Sequence, residues 1–324
     1  IDYDYHDITF SWCSIIDPLM GNHSEGAHHN LGMLAWGKYT AANSGGMTMH
    51  HCFFGYNYYR VPEVNFRGFL DLTNNVNYWT YSSWAPMVEP MTYNNTYEKC
   101  YANIKYCYND VRGSASEIDP STRRLARSAI IATSGGSAYP AIYMIGCLSG
   151  TRTSQSASEW DVGDYSQTWG RTLASTSWQS TTEFAVTGIP VTATTIDSSY
   201  AATIVTGAGA SKPCFDSVDI AAQTNYNNGT GAFKSATGMS YPSSWPTFNN
   251  TPTPTDSDND GMSDAWEMST FGSLSQTAHG DYNGNGYENI EEYLHYLGGY
   301  SSAQTLLDTS PPEAPAGVGI IIIQ

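Results

Sequence analysis

The segment TMHHCFFG (Thr48–Gly55) decides the reading of the fold, because four other stretches superimpose on it without gaps. They are TFSWCSII (Thr9–Ile16), DLTNNVNY (Asp71–Tyr78), NIKYCYND (Asn103–Asp110) and YMIGCLSG (Tyr143–Gly150). Their fifth positions are Cys13, Cys52, Asn75, Cys107 and Cys147, at spacings of 39, 23, 32 and 40 residues. A unit near 23 residues that carries unequal insertions, with strand-type alternation and one small polar or sulfur side chain at a fixed place, suits a stacked parallel solenoid. Equivalent residues in such a stack lie about 4.8 Å apart. The fifth position is expected at a tight turn, where Asn tolerates left-handed backbone and bonds to neighbouring main chain, or where a small thiol is buried. The expected fold class is all-β: a right-handed parallel β-helix over residues 1–180, with a small helical cap and a separate C-terminal module.

Stacked side chains point the same way, so the ladder cysteines are expected to be free and buried. A Cys13–Cys52 bridge is the alternative if their Cβ vectors converge. The Asn75 repeat separates Cys52 from Cys107. Cys100 and Cys214 lie outside the ladder and are open to either state.

Composition agrees with an all-β chain: 24 Tyr, 9 Trp and 30 Gly accompany a charged fraction of only 13%. A net charge of −17 excludes nucleic acid and anionic membrane as expected partners, since both are bound through Lys and Arg. No apolar run reaches transmembrane length, and the opening IDYDYHDITF reads as strand rather than leader. Sequons at Asn22, Asn94, Asn228 and Asn249 are candidate N-glycan sites, consistent with a secreted or cell-surface location.

The repeat fades after about residue 180. TTIDSSYAATIVTGAGA, from Thr194, has a helical composition ended by Gly207, and CFDSVDIAAQTN, from Cys214, places Val218, Ile220 and Ala221 on a second amphipathic stretch. Residues 181–250 are expected to cap the last repeat, and NNTPTPTDSD to form a linker. DSDNDGMSDAWE then fits an EF-hand-like calcium loop, with Asp256, Asp258 and Asp260 at positions 1, 3 and 5. Gly261 is at 6, the Met262 carbonyl at 7, Asp264 at 9 and Glu267 at 12. DYNGNGYENIEE repeats the register 25 residues later with Asp281, Asn283, Asn285, the Tyr287 carbonyl, Asn289 and Glu292. Ca2+ is therefore the expected cofactor of residues 251–298. Residues 299–324 read as a Pro-rich linker and an apolar strand, GVGIIIIQ, which could begin a further sandwich domain or pair with a neighbouring copy's sheet edge.

In order along the chain, DITFSWCSII, HSEGAHHNLGML, MTMHHCFFGYNYYRVPEVNF, LDLTNNVNYW, GAGASKPCFDSVD, NNGTG and the two calcium loops resemble secreted bacterial pectate lyases of the parallel β-helix type. The resemblance spans roughly residues 6–297 and implies further coils upstream of Ile1. It implies cleavage of polygalacturonate by calcium-assisted β-elimination, with Arg60 in the place of the arginine that removes the C5 proton. Tyr56, Tyr59, Trp79 and Trp84 are the aromatic candidates for a sugar groove. Where members of that family carry a lysine in HSKG and an arginine after the proline, this chain has Glu25 and Glu63. Each reversal removes a charged contact to a polyanion, of about 1.5–3 kcal/mol, and adds repulsion. Two functions are thus expected: a lyase or binder of an acidic polysaccharide, or a catalytically inactive β-helix acting as a carbohydrate adhesin or assembly subunit. The histidine pair His50 and His51 has no spaced metal partner and reads as structural, and His28 and His29 read as loop residues.

Overall fold

The computed structural model describes residues 8–19, 30–36, 45–58, 60–65, 68–80, 87–89, 91–93, 96–98, 100–110, 112, 126–128, 131–133, 136–138, 141–150, 153–164, 179–185, 191–209, 214–235, 239, 243, 245–247 and 254–297. The chain divides into two compact units, Ile1–Asn249 and Asn250–Gln324.

In the first unit, most strands belong to three parallel sheets. The first sheet runs Ile8–Ser11, Gly45–His50, Gly68–Thr73, Cys100–Lys105, Ala141–Ile145 and Gln179–Ser180. The second holds Ser14–Ile16, Phe53–Gly55, Val76–Tyr78 and Tyr108–Asp110, and the third holds Leu34–Trp36, Glu63–Asn65, Met87–Glu89, Ala126–Ser128 and Gly163–Asp164. The chain visits first, second and third sheet in that order, again and again. Two short antiparallel hairpins, Met91–Tyr93 with Thr96–Glu98 and Ile131–Thr133 with Gly136–Ala138, account for the other pairings.

The register is the one the gapless alignment sets. Thr9 pairs with Thr48, Thr48 with Asp71, Asp71 with Asn103 and Asn103 with Tyr143. In the second sheet Ser14 pairs with Phe53, Phe53 with Val76 and Val76 with Tyr108, which bridges to Leu148. Alternation then divides each strand. Met47, Met49, Leu70, Leu72, Ala102, Ile104, Ile142 and Met144 join Ala35, Val64, Val88 and Phe54 in one buried core.

At the bend between the first two sheets the structure corrects one expectation. The left-handed residue is the fourth of each segment, not the fifth: Trp12, His51, Asn74, Tyr106 and Gly146 have φ of 53°, 54°, 53°, 49° and 65°. The fifth side chain instead ties adjacent repeats together. Asn75 accepts from the Cys52 amide at 2.9 Å and donates to the Met49 carbonyl at 2.8 Å. Cys147 does the same one repeat pair later, accepting from the Cys107 amide at 3.4 Å and donating to the Ile104 carbonyl at 3.4 Å. Cys52 and Cys107 reach the Phe10 and Leu72 carbonyls at 3.6 Å. Thiol and amide share one role, with longer bonds to sulfur. All six cysteines are thiols and none is in a disulfide, and burial pushes the thiol pKa values of Cys52, Cys100 and Cys147 up, which keeps them protonated.

The segment expected to cap the last repeat lies along the side of the stack instead. From Glu183 onward it touches every repeat. Lys105 joins Glu183 and Asp71 at 2.8 and 2.9 Å. The Asn103 amide brackets the Phe184 backbone at 2.9 and 3.0 Å, and the Asn74 amide brackets Thr194 at 2.6 and 2.8 Å. Gln155 links Gly146 to Ile196. Helix α1, Ser198–Gly207, is capped by Asp197 and buries Ala201, Ile204 and Val205. Its last residue lies so close to the Trp12 ring that an added Cβ would come within 2.7 Å, which is why glycine ends the helix there. Helix α2, Ser217–Asn228, starts in a capping box of Asp216 and Asp219 and ends at Gly229 in the left-handed region. It buries Ala222 and Tyr226 rather than the expected stripe, for Ile220 is half exposed. Together the helices cover the outward residues Phe53, Val76 and Tyr78 of the second sheet in a second core.

His50 and His51 sit beneath this flank. Their Nδ1 atoms are 2.9 Å apart, His51 Nε2 is 2.9 Å from the Tyr200 hydroxyl, and Trp12 stacks on His51 at 4.7 Å. Burial lowers both pKa values to about 4, with His51 adding to the shift at His50. The folded state therefore holds them neutral. Their contribution to stability is complete above the ordinary histidine pKa near 6.5 and is lost as pH falls from there through about 4. The expected result is a falling melting temperature across that window, with a shallower slope in His51→Asn, where asparagine also suits the left-handed backbone. An unchanged slope would contradict the assignment.

Candidate metal centre and the Arg60 turn

The second unit is built on two loops followed by helices α3, Asp264–Thr270, and α4, Asn289–Leu297. Met262, Trp266 and Tyr293 form its buried centre, with Phe271 and Ile290 packed against it. The loops fold alike, position by position. The first-position carboxylate accepts from the position-six amide at 3.0 Å in both, Gly261 to Asp256 and Gly286 to Asp281. It also accepts from position five, Asp260 at 3.3 Å and Asn285 at 3.1 Å. The position-five side chain accepts from position seven, Met262 to Asp260 at 3.0 Å and Tyr287 to Asn285 at 2.9 Å. The position-nine amide donates to the carbonyl just ahead of the loop, Asp264 to Thr255 at 2.9 Å and Asn289 to Gly280 at 2.7 Å. Positions four and six need left-handed backbone: Asn259 and Gly261 have φ of 59° and 97°, Gly284 and Gly286 72° and 92°.

In the first loop Asp256, Asp258 and Asp260 place ligand oxygens within 4.8 Å of one another. Glu267 is fully buried, and neither of its carboxylate oxygens has a hydrogen-bond partner; Asp260 Oδ2 is in the same condition. Burial raises the Glu267 pKa, and the charges of Asp258, Asp260, Asp264 and Asp256 raise it further. An isolated buried carboxylate facing like charges is costly unless a cation joins it. Hard oxygen donors at this spacing suit Ca2+. In the second loop Asp281, Asn283, Asn285 and Glu292 converge, and Asn283 and Asn285 donate to Glu292 Oε1 at 3.1 and 2.6 Å.

The position-nine side chains do not join either set. Asp264 accepts from the Ser257 amide and hydroxyl, both at 2.7 Å, and Asn289 accepts from the Tyr282 amide at 3.0 Å while donating to the Thr277 carbonyl at 2.8 Å. They brace the loop start against the helix start. The sequence register marks these residues as ligands at position nine, where such loops often act through a water; here their side chains also tie the loop to its frame.

Arg60 follows the second sheet and has φ of 64°, and its carbonyl accepts from the Met33 amide at 2.7 Å. Its Nε donates to Glu63 Oε2 at 2.7 Å, a pair whose side chains are 30% and 12% exposed. The acid read from sequence as a repulsion toward polyanions is thus also the partner of the candidate base. Of the groove aromatics, Tyr56 and Trp79 are buried: Tyr56 packs against Tyr78 and Trp79, and its hydroxyl reaches the Ala222 carbonyl of α2 at 3.5 Å. They hold the flank in place and present no surface to a sugar. Tyr59, Trp84, Glu25, His28, His29, Asn22, Asn94, Asn249 and residues 299–324 lie outside the described residues, while Asn228 is exposed at the end of α2. No helix among the described residues is long and apolar enough to cross a membrane. Comparison with family models, with curated proteins and with solved structures found no match.

Proposed function

We propose that the chain is a right-handed parallel β-helix protein of the pectate lyase-like class, secreted or displayed at the cell surface, which binds Ca2+ through its C-terminal loops and holds a glycan without cleaving it. The recurrent circuit through three parallel sheets supports the β-helix reading. The single observation that carries the non-catalytic reading is the Arg60–Glu63 ion pair at 2.7 Å. An Nε–H already given to a carboxylate is occupied, and that carboxylate repels the polyanion a lyase has to hold. The burial of Tyr56 and Trp79 removes two of the aromatic platforms a lyase groove would use.

A lyase is the second reading, favoured by the left-handed backbone at Arg60, which leaves its side chain nearly one-third exposed beyond the strand. Unsaturated-uronide absorbance on polygalacturonate with calcium separates the two. The expected result is no rate above background in the natural chain and calcium-independent silence in Arg60→Ala. A natural-chain rate that Arg60→Ala abolishes would establish the lyase instead. Glycan retention is measured separately, by co-sedimentation with insoluble polygalacturonate and with a neutral glycan. For self-association through the apolar tail, deletion of residues 312–324 is expected to reduce assembly size; equal size in both chains would exclude that route.

A further inference from the structure

Resting on the calcium reading above, we propose that the two loops are inequivalent and fill in order, the Asp256–Glu267 loop first and the Asp281–Glu292 loop second. The backbone frames match, so the difference lies in the side chains at positions three and five and in what surrounds the glutamate at position twelve. In the first loop all three are carboxylates, Asp258, Asp260 and Glu267, and Glu267 is buried with both oxygens unpartnered. An added cation would give both oxygens a partner and offset the like charges around them.

The second loop has already satisfied itself. Asn283 and Asn285 replace two carboxylates, and their Nδ2 groups donate to Glu292 Oε1 at 3.1 and 2.6 Å, supplying the positive ends of two amide dipoles where a cation would otherwise act. Before an ion can enter, both amides must turn to present their oxygens, and Glu292 must exchange two N–H donors for metal. The first loop offers the carboxylates of Asp256, Asp258, Asp260 and Glu267, and the second only those of Asp281 and Glu292. Ligand charge count tunes calcium affinity over orders of magnitude in loops of this type, so the two dissociation constants should differ by about tenfold or more. The first ion acts as a structural element, and the second responds to the surrounding calcium level.

The test is calorimetric titration of the full chain with Ca2+ alone, in the natural protein and in three variants. Two phases are expected, separated by about tenfold or more in dissociation constant. Glu267→Gln should remove the tighter phase and Glu292→Gln the weaker. The double variant Asn283→Asp with Asn285→Asp retains the frame and should tighten the weaker phase by about tenfold, narrowing the gap. Two ions bound with one common affinity, or loss of the weaker phase in Glu267→Gln with the tighter one intact, would overturn the ordering and leave calcium binding standing. No bound calcium in the natural chain would overturn both.

Discussion

In saturating calcium the Glu267→Gln chain melts below the natural chain, and in excess chelator it melts above it, so the two curves exchange order. The crossing follows from the unpartnered Glu267 carboxylate, buried among like charges. With calcium present that carboxylate is a ligand, and its loss forfeits linkage stabilisation of about 2.7 kcal/mol when calcium stands about 100-fold above its dissociation constant. For a unit of this size that corresponds to a shift of ten degrees or more in its own transition, at about 4–8 °C per kcal/mol. Without calcium the same carboxylate is a liability, and a neutral amide of equal shape relieves it. Scanning calorimetry of the full chain in the two buffers measures this; the same order of melting in both would contradict it.

Asn75→Ala is the variant expected to harm the first unit most, and Asn75→Cys the one expected to restore much of the loss. The asparagine satisfies two buried backbone groups of the preceding repeat, the Cys52 amide and the Met49 carbonyl. Leaving both unmade costs about 1–3 kcal/mol each, or about 2–6 kcal/mol together. A thiol fills the same role at Cys147, which accepts from the Cys107 amide and donates to the Ile104 carbonyl. Denaturant unfolding of the three chains checks this. Equal losses in alanine and cysteine would show that the bonds to the fifth position contribute little.

Sequence made the stack legible because repetition survives unequal loops: five segments aligned without gaps give the pairing register from Thr9 to Tyr143. It misplaced the left-handed residue by one. Trp12 and Tyr106 are not side chains that favour positive φ, and His51, which tolerates it, is also held there between Trp12 and Tyr200. The flank itself was hard to place, since a helix covering the side of a stack and one covering its end have the same amphipathic pattern. Tyr56 and Trp79 illustrate a related limit, for an aromatic side chain suits a sugar groove and a buried interface equally well. In the two loops of the second unit spacing located the carboxylates but could not tell that Asp264 and Asn289 turn back to the position-two amides. Glu63 was visible three residues after Arg60, yet the bend at Arg60 that brings the two together is a property of the backbone.

Calcium content per chain, measured after equilibrium dialysis of the full-length protein against buffered calcium, tests the central claim most directly. The expected values are two ions in the natural chain and one in Glu267→Gln. A natural chain that retains none at any calcium level would contradict the account.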